Sequence, residues 1–350
     1  MDLFWNVDEL IDESYVDVEK IDNHAQLYGA ISGLVESLGD PYSVFMSPEE
    51  TETFNKSLSG ELEGIGAELT ENEAGELMIL APLKNSPAEK AGILPGDYIY
   101  MVNGQLTTGM SLFEAIMNIR GEPGTEVQLT LLREGMDEAI EVSITRQAII
   151  VPSVELSTLE EEGKSIAHLT INQFGTDTYN EFEEAVRQIT LDNPDGLILD
   201  LRMNGGGYLD AAVQITSEFF EDEKTAVIVK YRDRDNQVIK TTGDGQLTTI
   251  PMVVLIDGYS ASASEILAGT LQDYERATLI GEQSFGKGSV QELDELSDGS
   301  TLLLTVAKWY TPLDRSIDET GITPDIEVKN EAQNPSDLQL DAALNYLVQQ

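Results

Sequence analysis

The sequence predicts an α/β protein of mixed α+β build: a core of alternating strands and helices, an inserted β-rich unit and a helical unit at the N-terminus. Three observations lead there. Apolar residues repeat at helical spacing up to about Leu58. Short β runs bounded by turn residues follow from Gly60 to Arg146. From Val154 onward, buried strands alternate with amphipathic helices. At 350 residues the chain exceeds what one hydrophobic core usually holds, so several units are expected.

In the first unit, placed at residues 1–60, Leu10, Ile11 and Val16, then Leu27, Ile31, Leu34, Val35 and Leu38, fall on helical faces, and Gly39-Asp40-Pro41 interrupts them. Ser47-Pro48-Glu49-Glu50 joins a cap, a proline at the first helical position and a capping-box glutamate, so a further helix begins there. The second unit, 61–147, opens with Gly64-Ile65-Gly66-Ala67. It continues through Ser86-Pro87-Ala88-Glu89 and a helix from Ser111 to Ile119, and closes on alternating runs over Val127–Leu132 and Ala139–Ile144. The core, 148–330, reads as strands at Ile166–Ile171, Gly196–Leu201, Pro251–Ile256, Ala277–Ile280 and Leu302–Trp309. Helices over Tyr179–Thr190, Leu209–Phe220 and Ser262–Asp273 lie between them. An amphipathic helix over Leu338–Val348, within a closing segment 331–350, ends the chain.

Composition removes several classes of function. Lys+Arg 20 against Asp+Glu 64 gives a formal net charge of -44, a field that repels phosphate backbones and anionic lipid. Nucleic-acid binding is therefore not expected. The acidic residues are spread along the chain, as a solvated surface would have them. With Cys 0, thiolate nucleophiles, disulfides and cysteine-held metals are all absent, which fits an oxidising compartment. No run approaches a membrane helix, and the first twenty residues lack an export signal, so a membrane link is expected only through a segment that this chain does not contain.

Neither histidine suits a Ser-His-Asp arrangement, because His24 lies in the helical unit and His168 inside an apolar strand. The nucleophile-elbow pattern is also missing, since Gly258-Tyr259-Ser260-Ala261-Ser262 puts serine where its last glycine should be. What remains is a strand-to-helix junction, Ser260-Ala261-Ser262-Ala263-Ser264-Glu265, where first-turn N–H groups could hold an oxyanion; taken alone it reads more readily as a serine cap. Asp200-Leu201-Arg202-Met203-Asn204-Gly205-Gly206-Gly207 ends another strand with unobstructed backbone N–H groups. A third segment, Gly281 to Lys287, nearly matches a phosphate-binding loop but carries Gly288 where a magnesium-holding hydroxyl belongs. A lysine can deprotonate a serine only as a neutral amine. Burial of Lys287 between Gly286 and Gly288 would favour that form, and on an extended segment Gln291 would share its face.

Taken together, these residues resemble the carboxyl-terminal processing peptidases, also called tail-specific proteases. The resemblance rests on Asp200-Leu201-Arg202 with the three glycines, on Ser260 to Ile266, on Phe285-Gly286-Lys287-Gly288 and on Gly321-Ile322-Thr323-Pro324-Asp325. It implies a serine endopeptidase cutting proteins near their C-terminus, with Ser262 as nucleophile, Lys287 as general base and Gln291 assisting. The choice of Ser262 over Ser260 and Ser264 comes from the resemblance alone. The implied oxyanion donors are the Ala263 N–H and a glycine N–H, that of Gly206 or Gly207. No cofactor or metal is implied. Against the family pattern, a small hydroxyl residue is expected at Leu313, a glycine near Asp314, and asparagine or arginine at Asp257.

The segment from Gly64 to Arg146 resembles a PDZ domain, which implies that Gly64, Ile65, Gly66 and Ala67 bind a substrate's C-terminal carboxylate and gate access. Arg120, at the end of that unit's helix, is a candidate for coupling peptide binding to the core or a simple helix-end charge. The implied partners are proteins or peptides with a free C-terminus; a homo-oligomer is allowed, and an extracytoplasmic location is expected. Two rivals stand beside this reading: a nucleotide-binding enzyme built on Gly281 to Lys287, and a PDZ adaptor without catalysis.

Overall fold

The computed structural model describes residues 2–350 apart from 59–60, 72–75, 84–85, 111, 134, 137–138 and 331–335. The cap expected at Ser111 lies outside the described residues.

The N-terminal unit holds α1 (Asp2–Ser14), α2 (Asn23–Glu36), β1 (Val44–Met46) and α3 (Pro48–Leu58). The capping box forms as the sequence predicts: Ser47 N–H and Oγ both donate to Glu50 Oε2 at 2.8 Å, and Glu50 N–H donates back to Ser47 Oγ at 3.4 Å. The expectation of a purely helical unit needs correction. The short Val44-Phe45-Met46 run, bracketed by Pro41 and Pro48, is extended and pairs antiparallel with Leu303, Leu302 and Thr301 of a strand in the core. That pairing carries the preceding Asp40-Pro41-Tyr42-Ser43 turn to the functional site.

The β-rich unit contains β2 (Glu61–Gly64), β3 (Ala67–Glu71), β4 (Leu77–Pro82), α4 (Pro87–Lys90), β5 (Tyr98–Val102), β6 (Gln105–Leu106), α5 (Leu112–Ile119), β7 (Glu126–Leu132), β8 (Ile140–Thr145) and β9 (Gln147–Ile150). Its own core gathers Ile65, Ile79, Ile93, Ile99, Leu129 and Leu131. The antiparallel β2–β9 pair joins the two ends of this unit where it meets the rest of the chain.

The remaining elements are β10 (Val154–Glu161), β11 (Lys164–Ile171), α6 (Thr178–Asp192), β12 (Gly196–Asp200), α7 (Leu209–Ser217), β13 (Thr225–Tyr231), β14 (Gln237–Lys240), β15 (Met252–Ile256), α8 (Ala263–Asp273), β16 (Thr278–Gly281), β17 (Ser289–Glu295), β18 (Thr301–Tyr310), β19 (Ile326–Glu327) and α9 (Leu338–Val348). The central sheet runs β10-β11-β12-β15-β16-β19, parallel except for β10. Both faces are covered, which is why these strands read as unbroken apolar runs. Leu197, Leu199, Val254 and Ile256 face α6, α7 and α8, while Ile198, Val253 and Leu255 face Ala343 and Leu347 of α9. A second sheet, β1-β18-β13-β14 with β17 also on β18, packs beside it and includes β13 and β14, two strands that the sequence reading did not separate from their surroundings. Because β12, β15 and β16 are parallel neighbours, the loops leaving their carboxyl ends converge at one edge of the sheet, the usual place for a ligand site in such folds.

Candidate active site

The loop after β15 is drawn tight by Asp257. Its Oδ1 accepts from Tyr259 N–H and Ser260 N–H, both at 3.0 Å, and from Met203 N–H at 3.1 Å. One carboxylate thus ties the β15 loop to the glycine-rich loop after β12, a bracing role that the sequence reading, which noted Asp257 only as a departure from the family pattern, missed.

The three serines separate on structural grounds. Ser260 Oγ donates to Leu201 O and Ser264 Oγ to Asn204 O, each at 2.9 Å, and both residues are fully buried. Their hydroxyls fasten the two loops together. Ser262 alone is half-buried and bears a left-handed backbone, φ 56, at the start of α8. A non-glycine residue is held in that region only by surroundings that over-determine it, and such strain gathers at functional positions.

Glu265, one turn into α8, is the hub of the site. Its Oε2 accepts from Ser262 N–H at 2.8 Å and Lys287 N–H at 3.0 Å, while Oε1 accepts from Ser284 Oγ at 2.6 Å and Gly286 N–H at 2.7 Å. Burial pushes this carboxyl up from the usual range, and the hydrogen bonds from Ser284, Gly286, Ser262 and Lys287 oppose that push. Helix α8 and the loop after β16 are thereby pinned to one oxygen pair, with Ser262 and Lys287 at its two sides.

Lys287 is half-buried. Desolvation holds its amine below the ordinary lysine range, with Asp40 and Glu265 acting in the opposite sense. Its Nζ lies 4.9 Å from the centre of the Tyr42 ring. The glycines beside it therefore do not leave it clear of side chains: the N-terminal turn fills that space. Gly288 is instead required by the backbone, since a Cβ there would stand 2.6 Å from Asp318 Cβ. Among the described residues, the Ser262 and Lys287 side chains share no hydrogen bond with each other.

Gln291 does not reach the lysine amine. A bulge between Val290 and Gln291 breaks the alternation assumed for an extended segment, and Gln291 Nε2 donates to Ser289 Oγ at 2.8 Å and Thr305 Oγ1 at 3.1 Å.

The glycine loop is held by Asn204, fully buried, whose Nδ2 donates to Ile171 O at 2.6 Å and whose O accepts Ala261 N–H at 3.0 Å. Gly206 N–H donates to Asn204 Oδ1 at 2.9 Å and so is already engaged. The Gly206 carbonyl accepts Phe174 N–H at 3.0 Å; in a trans, planar peptide the N–H of Gly207 points the other way. Gly206 is the point of closest approach, for a Cβ on it would lie 2.8 Å from Ser262 Cβ and 3.0 Å from Ala263 N. Ala263 N–H, at the open start of α8, has no partner among the described residues.

In the β-rich unit, Ile65 O accepts Ala88 N–H at 2.8 Å and Gly66 O accepts Leu83 N–H at 2.9 Å, which shapes the Gly64-Ile65-Gly66-Ala67 segment into a loop at φ 71 for Gly66. The loop lines a cavity of about 480 Å³ together with Leu69, Ile116 and Arg120, and Met203 of the glycine-rich loop also lines it. Arg120 packs against Gly64; burial pushes its guanidinium down, and it makes no hydrogen bond among the described residues.

The segment Gly281 to Lys287 leads into β17, not into a helix, so it lacks the helix start on which a phosphate loop depends. Asp314, near which a glycine was expected, adopts a left-handed backbone, φ 60.

Comparison with known proteins agrees with this geometry. Residues 165–328 match the model of peptidase family S41, 78–133 that of a PDZ domain, and 3–51 that of the activating protease CtpB N-terminal domain. The chain is 38% identical over 346 residues to a carboxyl-terminal-processing protease of Synechocystis, covering 97% of this chain and 80% of that protein. It is 40% identical over 311 residues to the carboxy-terminal processing protease CtpA of Bacillus subtilis, covering 89% of this chain and 66% of that one. Among solved structures, the photosystem II D1 C-terminal processing protease matches at a TM-score of 0.65 and 28% identity, over 99% of this chain and 96% of that one. With its S41 core, its PDZ domain and relatives that are carboxy-terminal processing proteases, the chain belongs to peptidase family S41.

Proposed function

We propose that this chain is a serine endopeptidase that cuts protein substrates near their C-terminus, with Ser262 as nucleophile and Lys287 as general base. The observation that carries this reading is the shared Glu265 Oε2, which fixes the Ser262 and Lys287 backbones within two hydrogen-bond lengths of each other. Of the three serines in the loop, only Ser262 has a hydroxyl not committed to a backbone carbonyl.

In this reading the Lys287 chain turns from Tyr42 towards Ser262 and its neutral amine takes the hydroxyl proton as Oγ attacks the scissile carbonyl. The ammonium then protonates the departing amine, leaving an acyl-enzyme, and the amine formed again activates the water that releases it. Ala263 N–H and Gly207 N–H are the donors best oriented for the oxyanion, with Gly206 as the residue that lets the loop approach. Gln291 assists through its bonds to the strand beside the lysine.

The cavity at Gly64-Ile65-Gly66-Ala67 takes the substrate's carboxylate, and Arg120 beside it supplies a cation that responds to that charge; the presence of Met203 on the same cavity offers a route to the catalytic loop. Division at 1–60, 61–147, 148–330 and 331–350 follows the element order. Exposed Leu3, Trp5 and Leu10 on α1 favour a homo-oligomer, and the extracytoplasmic location accords with a chain free of cysteine.

The test is cleavage of a protein substrate with a free C-terminus by wild type and Lys287→Ala. Loss of cleavage in a folded variant is expected; full turnover removes lysine from the mechanism.

A further inference from the structure

The N-terminal turn before β1 brings Asp40 and Tyr42 to the lysine. Lys287 Nζ stands 4.9 Å from the Tyr42 ring centre, at cation–π range. Next to it, Asp40 Oδ2 accepts from Ser43 Oγ at 2.5 Å and Oδ1 from Tyr42 N–H at 3.1 Å, so the carboxylate is fixed within its own turn. The turn is in turn fixed to the core: Thr305 N–H donates to Ser43 Oγ at 3.0 Å, and Thr305 Oγ1 accepts Gln291 Nε2 at 3.1 Å. A path of hydrogen bonds therefore runs from Gln291 through Thr305 and Ser43 to Asp40, whose charge acts on the lysine amine.

We propose that Asp40 and Tyr42 are positioning residues for the lysine base, parking its ammonium on the tyrosine face when the site is at rest, and that Gln291 acts on the lysine through Thr305, Ser43 and Asp40. The proposal rests on the reading of Lys287 as base. The charged and titratable groups around the amine are Asp40 and Tyr42 from the turn, Glu265 from α8, and, beyond Tyr42, Asp318 and Glu319 from the loop after β18. Asp318 is paired with Lys308, and the Glu265 oxygens already accept from four donors. Asp40 is thus the carboxylate best placed to hold the ammonium. Swinging the chain towards Ser262 takes the amine away from that charge and from the ring face, which favours the neutral form at the moment it is needed.

The experiment is trace acetylation of the whole protein with acetic anhydride at a series of pH values, with the Lys287 peptide quantified by mass spectrometry beside the pH profile of kcat/KM. In Asp40→Asn, loss of the negative charge leaves more neutral amine, so Lys287 labelling at a fixed pH on the acid side is expected to rise about threefold or more, and the acid limb of kcat/KM to move to lower pH. Asp40→Glu should return both towards wild type. Asp40→Ser, which keeps a short hydroxyl for the Tyr42 N–H, repeats the test should the amide variant misfold. A Lys287 labelling rate that is unchanged or slower in folded Asp40→Asn and Asp40→Ser overturns the proposal. Faster labelling with an unmoved acid limb upholds Asp40 as the holder of the amine and instead removes Lys287 as the base.

Discussion

Glu265 Oε2 sits 3.0 Å from the backbone nitrogen of Lys287, and the same oxygen takes the amide of Ser262 at 2.8 Å. A buried carboxylate in the first turn of α8 thus holds the two arms of the site by their backbones, leaving the hydroxyl and the amine free to move. Replacing it with alanine strands four donors, two of them buried and two partly buried. Glu265→Ala is expected to lose on the order of 3–5 kcal/mol of stability, read by urea unfolding, and to lose activity with it. A loss within experimental error would show that the hub is not structural.

The close approach of Gly206 to Ser262 leaves no room for a methyl group. Gly206→Ala should lower kcat by ~100-fold or more through displacement of the oxyanion donors, while the thermal midpoint moves only a few degrees. Kinetics and calorimetry on one preparation separate these effects.

Burial of the Lys287 amine has a sign in both activity and stability. Its charged form is disfavoured in the folded state, so the protein takes up fewer protons there than when unfolded. The resulting penalty is present in full below the folded pKa and fades as pH rises towards the ordinary lysine value. Lys287→Met, similar in shape and uncharged, should therefore raise the melting temperature at neutral pH, with the gain shrinking under strongly alkaline conditions, while cleavage is lost. In the wild type, kcat/KM should rise with pH through an acid limb placed below the ordinary lysine range.

Arg120 lines the PDZ cavity and its guanidinium makes no hydrogen bond among the described residues, so a peptide carboxylate would supply a partner. Arg120→Ala is expected to raise KM by ~10-fold for substrates with a free C-terminus and to leave C-terminally amidated substrates unaffected. Equal effects on both would confine Arg120 to a structural role.

Much of this was legible in the sequence, for identifiable reasons. The strands flanking the site are buried on both faces and announce themselves as apolar runs, and Ser47-Pro48-Glu49-Glu50 marked its helix start through a purely local capping box. The junctions that carry Ser262, Lys287 and the glycines could be found from their composition, while the choice of Ser262 among three serines took the family resemblance. What escaped was long-range or irregular. Glu265 looks like any helical glutamate until four donors from distant segments converge on it. The bulge at Gln291 cancels a periodicity argument, and β1 is too short to separate from its helices before its partner β18 is known. Asp40 and Tyr42 lie more than two hundred residues from the lysine they face, a distance that no local pattern spans.

Labelling with a fluorophosphonate, followed by peptide mapping, addresses the Ser262–Lys287 pair most directly, in wild type and in folded Lys287→Ala. The account predicts one adduct, on Ser262, forming at least ~100-fold more slowly without the lysine. An adduct on Ser260 or Ser264, or undiminished labelling in Lys287→Ala, would contradict it.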